Sequence, residues 1–74
     1  MSSRIVEYHM GRLQDKSPAA RMNAIQELVL LEAFEAMPSL EELFHTDPDE
    51  DVRKAAQRGG RELFLKQRAK GKDE

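Results

Sequence analysis

The chain has 74 residues and no cysteine, so it has room for one domain and excludes disulfides, zinc–thiolate sites and thiol catalysis. Its net charge of −2 conceals an asymmetry: residues 1–52 carry eleven acidic and four basic side chains, whereas residues 53–72 carry one acidic and eight basic side chains. The N-terminus lacks a signal-peptide pattern, and the longest apolar run, residues 28–31, is too short to cross a bilayer. These features predict a cytoplasmic protein that does not enter a membrane.

Apolar residues recur at helical spacing and predict four helices. The first covers about residues 4–14. Its predicted buried side consists of Ile5, Val6, Met10 and Leu13. Ser17 and Pro18 then mark the start of a second helix, over about residues 18–31, because serine caps a helix and proline fits its first position. Its predicted buried stripe consists of Ala20, Ala24, Ile25, Leu28 and Leu31.

The third helix is predicted to start near Glu35 or at a capping box beginning with Ser39. Its apolar side consists of Ala36, Met37, Leu40, Leu43 and Phe44. Asp47 and Pro48 are the clearest start signal in the chain, because acidic residues follow them at the positive end of the helix dipole. They predict a fourth helix over about residues 49–68.

The predicted buried face of the fourth helix consists of Val52, Ala56, Gly60, Leu63 and Phe64. Gly59 and Gly60 lie inside this helix, and we interpret Gly60 as a point of close helix packing rather than as a kink. We expect a single domain over residues 1–69, followed by a disordered charged tail at residues 70–74.

The chain also repeats itself with an offset of 32 residues. The six-residue spacing from Asp15 to Arg21 recurs from Asp47 to Arg53. A period in the range of about 20–50 residues is typical of stacked helical units. The repeat therefore predicts an all-α protein built from consecutive helix pairs.

These residues together resemble HEAT repeats, in particular the short HEAT-like units of the phycobilin lyase family. Residues 24–31 and 36–44 match the two helices of one unit, and the resemblance extends over residues 4–66. Residues 32–34 depart from the Gly-Asp-Pro-like turn of that family. The resemblance implies a short right-handed α-α superhelix of about four helices. It also implies structural roles between adjacent units for Asp15, Arg21, Asp47 and Arg53.

No pattern in the chain indicates catalysis or a metal site. The acidic run at residues 47–51 resembles the start of a calcium loop, but Val52 and Arg58 stand where its glycine and its bidentate glutamate belong. His9 and His45 have no ligand spacing around them, and we expect them to be solvated or to cap helices. We therefore expect no cofactor, no metal ion and no enzymatic activity.

The predicted function is a protein–protein interaction module, or adaptor, made of HEAT-like repeats. A short array leaves apolar end faces uncovered, so we expect self-association, with a homodimer as the predicted form. The acidic third helix and the basic fourth helix could also meet between protomers. The candidate interaction surface consists of Met22, Val29, Phe34, Glu41, Glu42, Arg58, Arg61 and Lys66.

Two alternatives come from other functional classes. Nucleic acid could bind the basic fourth helix, although the acidic half opposes this and only Phe64 in the basic segment could stack on a base. An accessory role beside a bilin lyase rests on the family resemblance alone, since no cysteine is present to attach a bilin.

Overall fold

The computed structural model describes the backbone of residues 3–72 and the side chains of residues 3–71, and within this part of the chain it contains four α-helices and no strand. The helices are α1 (Arg4–Arg12), α2 (Pro18–Leu30), α3 (Met37–Thr46) and α4 (Glu50–Lys72), with a 3₁₀ turn at Phe34–Ala36 before α3. The predicted all-α fold of about four helices is confirmed.

Three of the helices begin at a side chain that accepts a hydrogen bond from a backbone amide. Ser3 Oγ accepts from the amide of Val6 at 3.1 Å, and Ser17 Oγ accepts from the amide of Ala20 at 3.3 Å. At the start of α4, an Asp49 carboxylate oxygen accepts from the backbone amide of residue 52 at 3.0 Å. Such contacts satisfy first-turn amides that have no partner inside the helix.

The third helix was predicted to start near Glu35 or at Ser39, and in the structure a turn and a 3₁₀ helix lead into it at Met37. Glu32 has a φ of 53°, and the amide of Ala33 donates to the carbonyl oxygen of Leu28 at 2.9 Å. This arrangement is a Schellman ending with glutamate in the left-handed position that glycine usually takes. The 3₁₀ turn then leads directly into α3 at Met37, so the predicted capping box at Ser39 is wrong.

The core lies where α4 packs against both α2 and α3, and α1 packs against α2. The largest fully buried side chains are Ile25, Leu28, Leu40, Leu63 and Val52. Three predicted core residues are instead exposed: Ile5 by 52%, Leu31 by 39% and Phe64 by 50%. Phe64 lies between α3 and α4 at a place that stays open to solvent, and Leu31 lies at the turn that ends α2.

His9 is buried, contrary to the expectation of a solvated or capping histidine. It lies one turn from Val6 and from Leu13 on the face of α1 that packs against α2. Its position on this face, rather than any polar partner, explains its burial.

The two adjacent glycines of α4 have different surroundings. A Cβ atom on Gly59 would lie 2.8 Å from Ile25 Cγ2 and 3.2 Å from Val29 Cγ2, whereas a Cβ atom on Gly60 would lie 3.9 Å from Leu40 Cβ. The helix continues through both. Close packing is therefore confirmed, but the residue that allows it is Gly59 and not the predicted Gly60.

The fourth helix extends to Lys72, beyond the predicted end near residue 68. The ammonium group of Lys70 contacts the carboxylate of Glu32 and lies 5.5 Å from the centre of the Phe34 ring. These contacts attach the last turns of α4 to the turn after α2. Residues 70–72, predicted as disordered, are therefore helical, and residues 73 and 74 lie outside the described residues.

The Lys70 contact predicts a measurable titration. Hydrogen bonding to Lys70, and then the charge of Lys70, lower the pKa of Glu32. The ion pair therefore stabilises the protein above the ordinary pKa of a glutamate, and this contribution is lost as pH falls through the lowered pKa. We expect an NMR titration of the Glu32 carboxyl to show a lowered pKa that rises in Lys70→Met. An ordinary pKa in the unsubstituted protein would contradict the contact.

No helix within residues 3–72 has the length and apolar composition that a membrane span requires.

Candidate functional site

A buried ion pair joins the start of α2 to the end of α3. Arg21 Nη2 donates to Asp47 Oδ1 at 3.0 Å, and Arg21 Nε lies 2.8 Å from Asp47 Oδ2. The two side chains are 10% and 3% exposed. Arg21 Nη1 also donates to the backbone carbonyls of Asp15 and Lys16, at 2.7 and 3.1 Å. The pair therefore holds the loop before α2 against the loop before α4.

The turns around the two aspartates are alike. An Asp15 carboxylate oxygen accepts a hydrogen bond from the amide of Ser17, and an Asp47 carboxylate oxygen accepts one from the amide of Asp49, both at 2.9 Å. Each aspartate thus closes a turn two residues ahead of itself, just before a helix begins.

The two arginines also repeat the same backbone contact. Arg53 Nη1 donates to the carbonyl of Asp47 at 2.8 Å, just as Arg21 donates to the carbonyl of Asp15. The Arg21–Asp47 ion pair itself is not repeated. Among residues 3–72, no carboxylate lies within 4 Å of Arg53, and no basic group lies within 4 Å of the Asp15 carboxylate. The structural roles predicted for these four residues stay a prediction.

An open groove of about 440 Å³ runs between α2 and α4, and we call it the α2–α4 groove. Its floor consists of the buried residues Ile25, Val29 and Gly59, and half-buried Met22 and exposed Arg58 lie at its rim. Since Gly59 has no side chain, α4 approaches α2 closely at the floor of this groove. Val29 is only 7% exposed, so Met22 and Val29, both predicted as part of the interaction surface, lie along a groove rather than on a flat surface.

The charges at the rim of the α2–α4 groove are unequal. Glu62 has Lys66 Nζ at 3.5 Å from its carboxylate. Arg58, by contrast, has no carboxylate within 4 Å among residues 3–72. The apolar floor is therefore flanked by a positive charge without an ion-pair partner in the described part of the chain.

A second open groove, of about 260 Å³, lies between α3 and α4. We call it the α3–α4 groove. Its apolar lining includes Met37, Phe44 and Phe64, and its polar lining includes Glu41 and Arg61. Phe64 is half exposed there, and the guanidinium of residue 68 lies 5.8 Å from its ring centre.

The family model for HEAT repeats matches residues 2–59 of the chain. This protein belongs to the HEAT repeat family. HEAT repeats generally mediate protein–protein interactions and are typically non-catalytic scaffolds. The predicted HEAT resemblance is confirmed, while the likeness to the phycobilin lyase type stays a prediction. No curated protein and no solved structure matches the chain.

The structure distributes the candidate surface residues over two grooves and three separate positions. Met22, Val29 and Arg58 meet in the α2–α4 groove. The α3–α4 groove contains Glu41 and Arg61. The remaining three lie outside the lining of both grooves.

Those three residues have individual settings. Phe34 lies beneath the ammonium group of Lys70, Lys66 pairs with Glu62, and Glu42 is exposed on α3. Nothing in their contacts connects them to one another. Within residues 3–72, no cluster of three or more His, Asp or Glu side chains is arranged to hold a metal ion.

Sequence reasoning missed several groove residues because it placed them in the core. Phe64 and Met37 follow the helical apolar spacing and so resembled core residues, yet both line the α3–α4 groove. Leu30, which is 73% exposed at the rim of the α2–α4 groove, carried a usable signal. It lies two residues after Leu28, off the buried stripe, and this spacing places an apolar side chain on the solvent side of α2.

Proposed function

We propose that this HEAT repeat chain is a non-enzymatic adaptor, which binds an apolar segment of a partner protein in the α2–α4 groove and also associates with itself. The observation that carries the proposal is the apolar floor of Ile25, Val29 and Gly59 beside Arg58, which has no ion-pair partner in residues 3–72. The general role of HEAT repeats in protein interaction supports it.

The chemistry of the groove specifies the bound segment. Apolar side chains of an amphipathic helix would fill the space above Val29 and Gly59, as helices do in hydrophobic grooves of other proteins. A carboxylate on that segment would pair with Arg58 at the exposed rim, where a charge contact adds specificity and a faster association rate more than affinity. We therefore infer that the partner offers at least two apolar anchors next to an aspartate or glutamate.

The shape and electrostatics of the described residues support a binding role over catalysis. Both grooves are open to solvent. The lowered pKa of Glu32 arises from a surface ion pair with Lys70 and not from enclosure in a cleft. An acid or base tuned for catalysis usually needs such enclosure.

A photo-crosslinking experiment tests the site. A photoreactive phenylalanine analogue at Gln26, an exposed residue of the α2–α4 groove, is expected to crosslink one partner protein in native lysate. The matched control carries the same analogue at Glu42, which is also exposed but lies outside both grooves. We expect the Gln26 product to disappear when Arg58→Glu is added. Equal crosslinking from both positions, or none from Gln26, would contradict the proposal.

Nucleic-acid binding remains the second candidate because of the positive charge of α4. Three of its lysines already contact carboxylates within the described chain: Lys54 with Glu50, Lys66 with Glu62, and Lys70 with Glu32. These contacts reduce the positive field available to a phosphate backbone. Binding to duplex or single strands that weakens steeply with salt, and disappears on reversal of Arg58, Arg61 and Lys66, would favour this candidate.

A further inference from the structure

The arginine–aspartate contact is complete at one place in the described chain and half complete at two others. Arg21 and Asp47 form the complete contact, buried and with two atom pairs at 3.0 and 2.8 Å. Arg53 repeats the position of Arg21 but has no carboxylate within 4 Å, and Asp15 repeats the position of Asp47 but has no basic group within 4 Å, among residues 3–72. One copy thus presents an arginine end and an aspartate end.

We propose that a second copy of this chain docks head to tail, so that its Asp15 binds Arg53 of the first copy as Asp47 binds Arg21. This inference rests on the proposed self-association and specifies its geometry. The turn at Asp15 is already in the conformation of the turn at Asp47, since both carboxylates accept the amide two residues ahead. Arg53 is likewise already positioned by its hydrogen bond to the carbonyl of Asp47. Little side-chain ordering is then needed on contact.

The repeat predicts a second contact across the same interface. Within the chain, Gly59 of α4 faces Val29 of α2, and a Cβ atom on Gly59 would lie 3.2 Å from Val29 Cγ2. The repeat offset of 32 residues carries Val29 to Arg61 and Gly59 back to Glu27. The corresponding contact between copies therefore places Glu27 of the second copy against Arg61 of the first. Neither of these two side chains has an ion-pair partner among residues 3–72. Two unpaired acids at one end thus meet two unpaired arginines at the other.

Glu27 and Arg61 also determine how closely the helices of the two copies can approach. Glu27 stands where Gly59 stands inside the chain, so the two helices cannot approach as closely between copies as α2 and α4 do. The wider gap gives room for the charged side chains of Glu27 and Arg61. Arg61 and Phe64 line the same α3–α4 groove, so a copy that reaches Arg61 also covers the half-exposed Phe64. We expect association to weaken as salt increases, because its specific contacts are ionic.

Head-to-tail docking differs from the homodimer predicted from the sequence. Each added copy leaves one Arg53 and one Asp15 without a partner, so this interface does not close on itself as a two-fold dimer does. Assemblies should therefore grow past two copies as concentration increases.

Two complementary variants test this geometry by analytical ultracentrifugation of the full chain. Asp15→Asn removes the charge at one end and retains an oxygen for the Ser17 amide, and Arg53→Gln removes the charge at the other end. Loss of one partner of a charge pair in an interface weakens binding by about 30-fold or more. We expect each variant alone to associate at least about that much more weakly than the unsubstituted chain. An equimolar mixture should form a complex of two copies, twice 8.5 kDa, because one intact arginine end meets one intact aspartate end.

The outcomes distinguish a failure of self-association from a failure of the head-to-tail geometry. A mass of one copy at every concentration would overturn both the self-association and the docking geometry. A mass that stops at two copies and is unchanged in both variants would retain self-association and overturn the head-to-tail contact. If Arg53→Gln fails to fold, as judged by circular dichroism, the concentration series of Asp15→Asn still decides the result.

Discussion

Asp47→Asn is expected to lower the free energy of unfolding by about 3 kcal/mol, while the same change at Asp15 alters it by less than about 0.5 kcal/mol. Asparagine keeps an oxygen that can accept the amide of Asp49, so the turn survives. It cannot balance the charge of Arg21, which is 10% exposed in this contact. Removing one partner of a buried pair leaves an uncompensated charge, and this loss is large compared with the roughly 4 to 11 kcal/mol expected for 74 residues.

Comparing the two aspartate variants separates the stability lost with the buried ion pair from the stability lost with the turn contact. Both carboxylates make the same turn contact, but only Asp47 faces an arginine in the described chain. Thermal unfolding followed by circular dichroism in dilute solution is the measurement. At about 4–8 °C per kcal/mol, the midpoint of Asp47→Asn should fall by more than about 12 °C. Equal, small shifts in the two variants would contradict the structural role proposed for the Arg21–Asp47 pair.

Alanine at Gly59 is expected to make the protein less stable than alanine at Gly60 by about 1–3 kcal/mol. Both changes gain about 1 kcal/mol from the better helix propensity of alanine. At Gly59 the new methyl group would lie 2.8 Å from Ile25 Cγ2. That carbon belongs to a branched, buried side chain and cannot move aside without shifting α2 against α4. At Gly60 the nearest atom, Leu40 Cβ, is at an ordinary contact distance of 3.9 Å.

Urea unfolding of both variants beside the unsubstituted protein measures this difference. We expect Gly60→Ala to have a higher midpoint than the unsubstituted chain and Gly59→Ala to have a lower or unchanged one, with similar slopes. A wider spacing of α2 and α4 in Gly59→Ala should also reduce crosslinking from Gln26, because the floor of the α2–α4 groove changes. Stabilisation of Gly59→Ala equal to that of Gly60→Ala would show that the helices are not in such close contact.

Local signals were sufficient to place the starts of α2 and α4. Ser17 and Asp49 each accept a hydrogen bond from the amide three residues ahead, so the short sequence around each contains most of the information. The end of α4 depends instead on Lys70 meeting Glu32, which is 38 residues distant in sequence. No local pattern could report that contact, and the predicted tail at residues 70–72 was wrong for this reason.

The side of a helix that becomes buried depends on how many neighbours it has. Ile5 and Phe64 fit the apolar spacing of α1 and α4 but stay half exposed, Phe64 at the open α3–α4 groove. His9 occupies the buried side of α1 instead. The candidate site was predictable in part, because Met22 and Val29 are seven residues apart in sequence and therefore lie on the same side of α2. The choice of Gly59 over Gly60 was not predictable, because it depends on the angle at which α4 crosses α2.

The most direct test of the proposed adaptor function is affinity capture of the tagged chain from native lysate, with and without nuclease, using two charge-matched variants. Arg58→Glu changes the rim of the α2–α4 groove, and Arg68→Glu makes the same change of charge on α4 outside that groove. We predict one partner at stoichiometric yield that resists nuclease, is lost in Arg58→Glu and is retained in Arg68→Glu. Captured material that disappears with nuclease and weakens equally in both variants would contradict the account and identify the basic helix as the binding surface.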